Sequence, residues 1–293
     1  MNNIDVTQFI EVAISAVCNA GKEIAYLFAL SPNEIALDWK SDETPVTKAD
    51  YLSEKLISET LLSQFPHLSL LREEAGVKGN SDDSIVCLVD PLDGTSSFSR
   101  GIPTYSILVA LAEHTNSKTN VIACVVHEPQ TGRIWYATKG EGAFLIYYNE
   151  SKNEYSRPRK IHVSSPSIFP AEKAMIIYDA ALKFRDVVPS VNAKLVALNA
   201  CYPRFRRARM IGSLALQFAY VASGFAEATV ADAIGGPYDL CGHLLVDEAG
   251  GQTSDLEICP IDIFKTKIAI ATNGDRHNEL AKILLQAYRS SNF

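Results

Sequence analysis

The 293-residue sequence contains no Cys-x-x-Cys pair; its six cysteines are scattered at positions 18, 87, 124, 201, 241 and 259. That spacing excludes the common thiolate zinc and dithiol motifs, and it fits a reducing cytoplasm better than a disulfide scaffold. Cys87 and Cys124 lie inside apolar runs and behave as small core residues. No basic residue precedes Lys22, so no secretory signal is expected. No apolar run approaches the roughly 20 residues of a membrane span, so no membrane partner is expected. Positive charge is also short: 27 Lys and Arg against 34 Asp and Glu leave a net charge of −7. An acidic chain argues against nucleic acid as the main partner. The one basic cluster, Arg204, Arg206, Arg207 and Arg209, fits a solvated loop before a strand, or a local positive field near an anionic substrate. There is no internal repeat and no low-complexity tract. What remains is an ordinary globular composition, 47% apolar and 21% charged, on a chain long enough for a large core.

Val6, Phe9, Ile10, Ala13, Val17, Ile24 and Phe28 follow helical spacing, with Asp5 and Gln8 as a capping signal and Ser31-Pro32-Asn33 as the stop. A second helix is expected from about Ala49 to Phe65, with Leu52, Leu56, Leu61 and Phe65 inward. Strands are expected near 85–89, 105–112, 121–127, 133–138 and 143–147. The short glycine-containing links between them predict an antiparallel meander. The polar, aperiodic stretch 149–160 divides an N-terminal α+β subdomain, 1–150, from a C-terminal α/β subdomain, 151–293. In the second half strands are expected near 174–178, 207–211, 226–231 and 267–272. They alternate with helices through the 180s and 190s, from Ser213 to Ala222, from Pro237 to Glu248 and from Asn278. Gly250-Gly251 supplies a helix C-terminal signal.

The chemistry concentrates at Asp90-Pro91-Leu92-Asp93-Gly94-Thr95-Ser96, which follows the apolar run Ile85-Val86-Cys87-Leu88-Val89. Two carboxylates three residues apart at a strand end repel each other unless a cation lies between them or one is protonated. Glu73-Glu74 adds acid just upstream. Oxygen donors in number, without Cys or His at metal spacing, suit a hard ion such as Mg²⁺. Taken singly, Asp-x-x-Asp-Gly also fits a strand end and turn. Thr47-x-x-Asp50 likewise fits a capping box, and Pro237-Tyr238-Asp239 the first turn of a helix.

Together these segments resemble the inositol monophosphatase family. Asp90 to Thr95 matches its Asp-Pro-Ile/Leu-Asp-Gly-Thr signature, and Leu71-Arg72-Glu73-Glu74 stands where the family has Gly-Glu-Glu. Thr44-Pro45-Val46-Thr47-Lys48-Ala49-Asp50 resembles its upstream segment, and Arg209-Met210-Ile211-Gly212-Ser213 its Arg-x-x-Gly-Ser/Thr. Pro237-Tyr238-Asp239 followed by Glu248-Ala249-Gly250-Gly251 resembles its second signature. The order and spacing hold over almost the whole chain.

The resemblance implies a layered α-β-α-β-α sandwich, of the type shared with fructose-1,6-bisphosphatase, and a Mg²⁺-dependent, lithium-sensitive phosphatase. It implies two or three Mg²⁺ ions, held by Glu73, Asp90, Asp93, Asp239 and the Leu92 carbonyl. It makes Asp50 and Thr95 the pair that activates water. Gly94, Thr95 and Ser96 become phosphate-binding, and Gly212, Ser213, Asp232 and Asp239 substrate-binding. It further implies a homodimer acting on a small phosphate monoester.

The departures concern the alcohol. Ser96-Ser97-Phe98 replaces Thr-Asn-Phe, Arg100 replaces a common His, Leu214 an Ala and Tyr238 a Trp. Pro237-Tyr238-Asp239 resembles the histidinol-phosphatase branch, so histidinol phosphate and fructose 1,6-bisphosphate are the alternative substrates. A non-catalytic regulator that binds metal or phosphate, and a purely structural dimer partner, are the readings from other classes. With a purely repulsive cluster in view, Asp93→Asn is expected to cut turnover by orders of magnitude and to leave the fold intact, or slightly more stable, without metal.

Overall fold

The structure is a computed structural model that describes residues 4–30, 37–41, 44–80, 84–115, 118–165, 173–178 and 191–290. Helix α1 (Val6–Phe28) is capped by Asp5, whose carboxylate accepts from the amides of Thr7 and Gln8. Strands β1 (Leu37–Trp39) and β2 (Pro45–Thr47) pair and lead into α2 (Lys48–Gln64). A large sheet follows: β3 (Ser69–Arg72), β4 (Gly76–Lys78), β5 (Ile85–Asp93), then the one-turn α3 (Thr95–Phe98), β6 (Ser106–Thr115), β7 (Lys118–Glu128), β8 (Arg133–Thr138), β9 (Gly142–Asn149), β10 (Glu154–Tyr155) and β11 (Arg159–Lys160). Its order is β10-β9-β8-β7-β6-β5-β3-β4, with β11 also on β9. From β5 to β9 every neighbour is antiparallel, the expected meander, whereas β3 pairs parallel with β5.

The second sheet contains β12 (Met175–Tyr178), β13 (Arg207–Arg209), β14 (Ala228–Ala231), β15 (Gln252–Asp255) and β16 (Ala269–Thr272), in the order β13-β12-β14-β16-β15. Its helices are α4 (Val191–Cys201), α5 (Leu214–Ala222), α6 (His243–Glu248) and α7 (His277–Ser290).

Three buried clusters define five layers. Phe9, Ala13, Val17 and Ile24 of α1 and Ile57 and Leu61 of α2 pack on Cys87, Val89, Ile107 and Val109 of the first sheet. The alternate residues Val86, Leu88, Leu108 and Ala110 face the opposite way, onto α5, α6 and the near face of the second sheet. The far face of that sheet, with Ile176, Val230 and Ile270, is covered by α4 and α7. The order is therefore α-β-α-β-α. It explains why 85–89 reads as an unbroken apolar run: both faces of β5 are covered.

Several elements differ from expectation. The buried face of α2 is Ala49, Asp50, Ser53, Glu54, Ile57, Ser58 and Leu61, while Leu52, Leu56 and Phe65 are only half-buried. Its inward stripe is half polar because it faces the carboxylates described below, so apolar spacing misplaces it. The expected Pro237–Glu248 helix is a 3₁₀ turn, Pro237–Leu240, followed by α6. The polar 149–160 segment carries β10 and β11 and so continues the first sheet. The expected stop at Ser31-Pro32-Asn33 and the helix through the 180s lie outside the described residues; the α1 helix ends at Phe28 and α4 begins at Val191.

Candidate active site

The site is built at the end of β5. Asp90 lies opposite Leu108 and Asp93 opposite Ser106, so β5 has one residue more than β6 between these pairs. Such a bulge bends the strand and re-aims its side chains. Gly94 follows with φ +98°, and a Cβ there would stand 2.8 Å from the Thr104 carbonyl oxygen and 3.1 Å from that of Gly212. Only glycine fits this approach of two chain segments. Gly94 opens α3, whose first amides, Thr95 and Ser96, are of the kind that lack intrahelical partners.

Asp93 is surrounded by four donors, three of them from the other half of the molecule. Its Oδ2 accepts from Ser213 Oγ (2.6 Å), the Ala215 amide (2.7 Å) and Ser106 Oγ (3.2 Å), and its Oδ1 from the Leu214 amide (3.1 Å). It therefore sits on the N-terminus of α5, together with the N-cap Ser213. Asp239 accepts from the amides of Gly235 and Gly236. Glu73 lies in the turn between β3 and β4. Lys40 Nζ reaches it at 2.9 Å and Glu74 at 2.5 Å. Glu54 of α2 accepts from the amides of Glu74 (2.7 Å) and Ala75 (3.0 Å).

Burial raises Glu74, Asp90, Asp93 and Asp239, and neighbouring charge adds to it at Glu74, Asp90 and Asp239. Asp90 is pushed well above its usual range by burial and then by Glu73, Asp93 and Asp239. Asp239 rises to about 8 through burial and the charges of Glu73 and Asp93, against the lowering pull of the two glycine amides. Burial lifts Asp93 to about 6 despite its four donors, and Glu74 to about 7 despite Lys40. Glu73, Asp90, Asp93 and Asp239 thus come from three chain segments, the β3–β4 turn, the end of β5 and the Pro237–Leu240 turn, and their charges repel one another.

The donor set fits a hard divalent cation: four carboxylates and the Leu92 carbonyl, all oxygen. Among the described residues no three or more His, Cys, Asp or Glu side chains are already gathered as a metal cage. Protein donors hold the carboxylates instead: a carboxylate has about four lone-pair sites, so the four donors on Asp93 match its capacity, whereas the two amides on Asp239 and the Lys40 ammonium on Glu73 leave those two with sites to spare.

Asp50 is buried beside this cluster. Its Oδ2 accepts from the Thr47 amide and hydroxyl, both at 2.7 Å, which is the capping box of α2; its Oδ1 faces Thr95 Oγ1 at 2.9 Å. Thr95 Oγ1 is also 2.9 Å from the Leu92 carbonyl, so one hydroxyl proton has two acceptors. Burial raises Asp50 to about 6. Ser96 and Gly212 are exposed and Gly94, Thr95, Glu73 and Asp239 half-buried, which leaves this side of the cluster open to solvent. Arg100 donates to the Ser96 carbonyl at 2.7 Å.

Asp232 stands apart from the expectation that it meets substrate. It is 2% exposed and accepts from Tyr178 (3.1 Å) and Tyr288 (2.9 Å), with Lys194 Nζ 3.6 Å away. None of these partners belongs to the carboxylate cluster; they anchor α4 and α7 to β12. Tyr238 is likewise turned into the core, its ring against Gly236, so its replacement of Trp changes packing. Sequence reasoning missed Lys40, Ser53, Glu54 and Ser106. Lys40 carries no local motif signal, but Ser53 and Glu54 share the polar stripe of α2 with Asp50.

A model of the inositol monophosphatase family matches residues 5–289. Inositol monophosphatase 2 of Solanum lycopersicum is 32% identical over 271 residues, covering 91% of this chain and 94% of the relative. The Nus factor SuhB of Escherichia coli is 28% identical over 247 residues, 84% of either chain. Among solved structures, an inositol monophosphatase of Thermotoga maritima superimposes with a TM-score of 0.79 at 25% identity, over 97% of this chain and 99% of the other.

Proposed function

The chain belongs to the inositol monophosphatase family, and from that premise we propose that it hydrolyses a small polyol phosphate monoester, inositol 1-phosphate first, with Mg²⁺. The observation that carries this reading is the convergence of Glu73, Asp90, Asp93 and Asp239, whose charges bear on one another, beside the Asp50–Thr95 contact. Glu73, Asp90, Asp93, Asp239 and the Leu92 carbonyl would hold the metal. When bound, Mg²⁺ neutralises phosphate, favours ionisation of water and stabilises the leaving oxygen.

The chain's own groups do the rest. Thr95 Oγ1 keeps its proton in a hydrogen bond to Asp50 Oδ1, and its free lone pair accepts from a water and orients it toward phosphorus. That water attacks in line; the new P–O bond forms as the ester P–O bond breaks, and the water's proton ends on the departing alcohol. The amides of Thr95 and Ser96 hold phosphate oxygens. Gly212 and Ser213 border the alcohol. The same family membership is the ground for expecting a homodimer and competition by lithium. Five buried free cysteines fit a reducing compartment such as the cytoplasm.

The Escherichia coli relative is named a Nus factor rather than a phosphatase, which gives a second reading, a non-catalytic regulator that keeps the fold. The full ligand set favours hydrolysis. A phosphate-release screen over inositol, histidinol, sugar and nucleotide phosphates separates the two. Turnover of inositol phosphate in Mg²⁺ is expected, and no turnover of any of them would overturn the hydrolase reading.

A further inference from the structure

Helix α2 presents three buried polar side chains to the site, and each grips a different segment. Asp50 meets Thr95, Ser53 donates to the Pro91 carbonyl at 2.6 Å, and Glu54 accepts from two amides in the turn that carries Glu73. Asp50 belongs to the water-activating pair, and Ser53 braces the carbonyl beside Leu92. Glu54 has no role in the chemistry so far.

Glu54 is expensive where it stands. It is 4% exposed, and a buried carboxylate is tolerated only when its oxygens are well bonded. It also lies near Glu73, a like charge. The site keeps it for the two amides it holds. At Glu74 and Ala75 the hairpin has left its ladder, which pairs Arg72 with Gly76, so these two amides have no partner in the ladder. Glu54 Oε2 and Oε1 take one amide each. On the other side the Glu73 amide donates to the Val89 carbonyl of β5 at 3.2 Å. The backbone of the turn is therefore fastened to the strand that bears Asp90 and to the helix that bears Asp50, while Lys40 holds the side chains of Glu73 and Glu74.

We infer that Glu54 is a positioning residue: by holding the amides of Glu74 and Ala75 it aims Glu73 at Asp90 and sets the affinity of the site for Mg²⁺. This rests on the metal site proposed above. Residues that orient metal ligands typically change metal affinity by about 10–100-fold when replaced. In Glu54→Gln the shape is kept, but an amide NH₂ faces one of the two N–H groups. A residue that only fastened a loop would lower stability and leave metal affinity alone.

The test is a calorimetric titration of Mg²⁺ into the full, metal-stripped chain without substrate, at a temperature where every variant is folded. Glu54→Gln is expected to raise the Mg²⁺ Kd about tenfold or more. Leu284→Ala, a core truncation in α7 far from the turn, is expected to lose stability yet keep the parent Kd. If Glu54→Gln does not fold, Glu54→Asp carries the test: it keeps the charge, shortens the reach by one methylene and is expected to weaken Mg²⁺ binding. A folded Glu54 variant with the parent Kd overturns the positioning role and leaves the metal site standing. A parent that binds no Mg²⁺ overturns the metal site and this inference with it.

Discussion

Asp50 serves two structures at once. Oδ2 completes the α2 capping box and Oδ1 meets Thr95, so capping and activation are not alternatives. Asp50→Asn is expected to lose about 1 kcal/mol of stability through the cap and also most of its turnover number, with KM little changed. Thr95→Ala should share the kinetic defect without the cap loss, and the double variant should be no slower than the worse single one, because both disable one unit. Steady-state kinetics beside a denaturation series checks this; full additivity would break the pairing. Turnover should also have an acid limb near pH 6, where Asp50 takes up a proton. Asp239 gives a stability prediction. Its carboxyl is raised in the fold from 3.8 to about 8, so the folded state binds that proton more tightly than the unfolded chain. Its contribution is fully present below about pH 4 and is lost as pH rises through about 8. In EDTA the parent should lose stability between about pH 4 and about pH 8, and Asp239→Asn should show a flatter dependence over that range. Equal slopes in the melting temperatures would mean that Asp239 does not bear the strain.

At the scale of elements, the β5 bulge, the Gly94 turn and the N-terminus of α5 form one joint. Gly94→Ala places a Cβ at φ +98° against two backbone carbonyls. It should cost more than about 1 kcal/mol in urea denaturation, whereas a cost near zero would show that the joint yields easily. Asp93→Asn is not expected to keep or gain stability, as the repulsive cluster alone would suggest. Three of the four donors around Asp93 come from Ser213 and the first turn of α5, and an NH₂ group would face them, so loss of about 1–2 kcal/mol is expected even without metal. These are also the places where the sequence was hardest to interpret. The β5–β9 meander was legible from apolar runs and glycine links, and α1 from its spacing and Asp5 cap. The buried face of α2 was not, because Asp50, Ser53 and Glu54 are inward for polar reasons that apolar periodicity does not detect. Nor were β3, β4 and β15, each of four residues or fewer and short of a strand-like pattern.

Across the whole molecule, the two sheets meet where the carboxylates do. Asp93 ties the first sheet to α5, and Glu248 of α6 ties back to the amides of Gly140 and Gly142 in the β8–β9 turn. The motifs spread from Asp50 to Asp239 are thus gathered by the five-layer packing. Their roles were legible only as a resemblance, since no local pattern reveals that residues 73, 90, 93 and 239 share a site. Asp232 shows the limit of such transfer: Tyr178, Tyr288 and Lys194 enclose it. The central claim is that hydrolysis depends on a cation held by these carboxylates. The most direct measurement is inorganic phosphate release from inositol 1-phosphate as Mg²⁺ is titrated into metal-stripped parent protein and Asp90→Asn. The parent should be inactive in EDTA and rise saturably with Mg²⁺, with Asp90→Asn on the order of 100-fold slower. Full turnover by the parent in EDTA, or parent-like turnover by Asp90→Asn, would contradict the account.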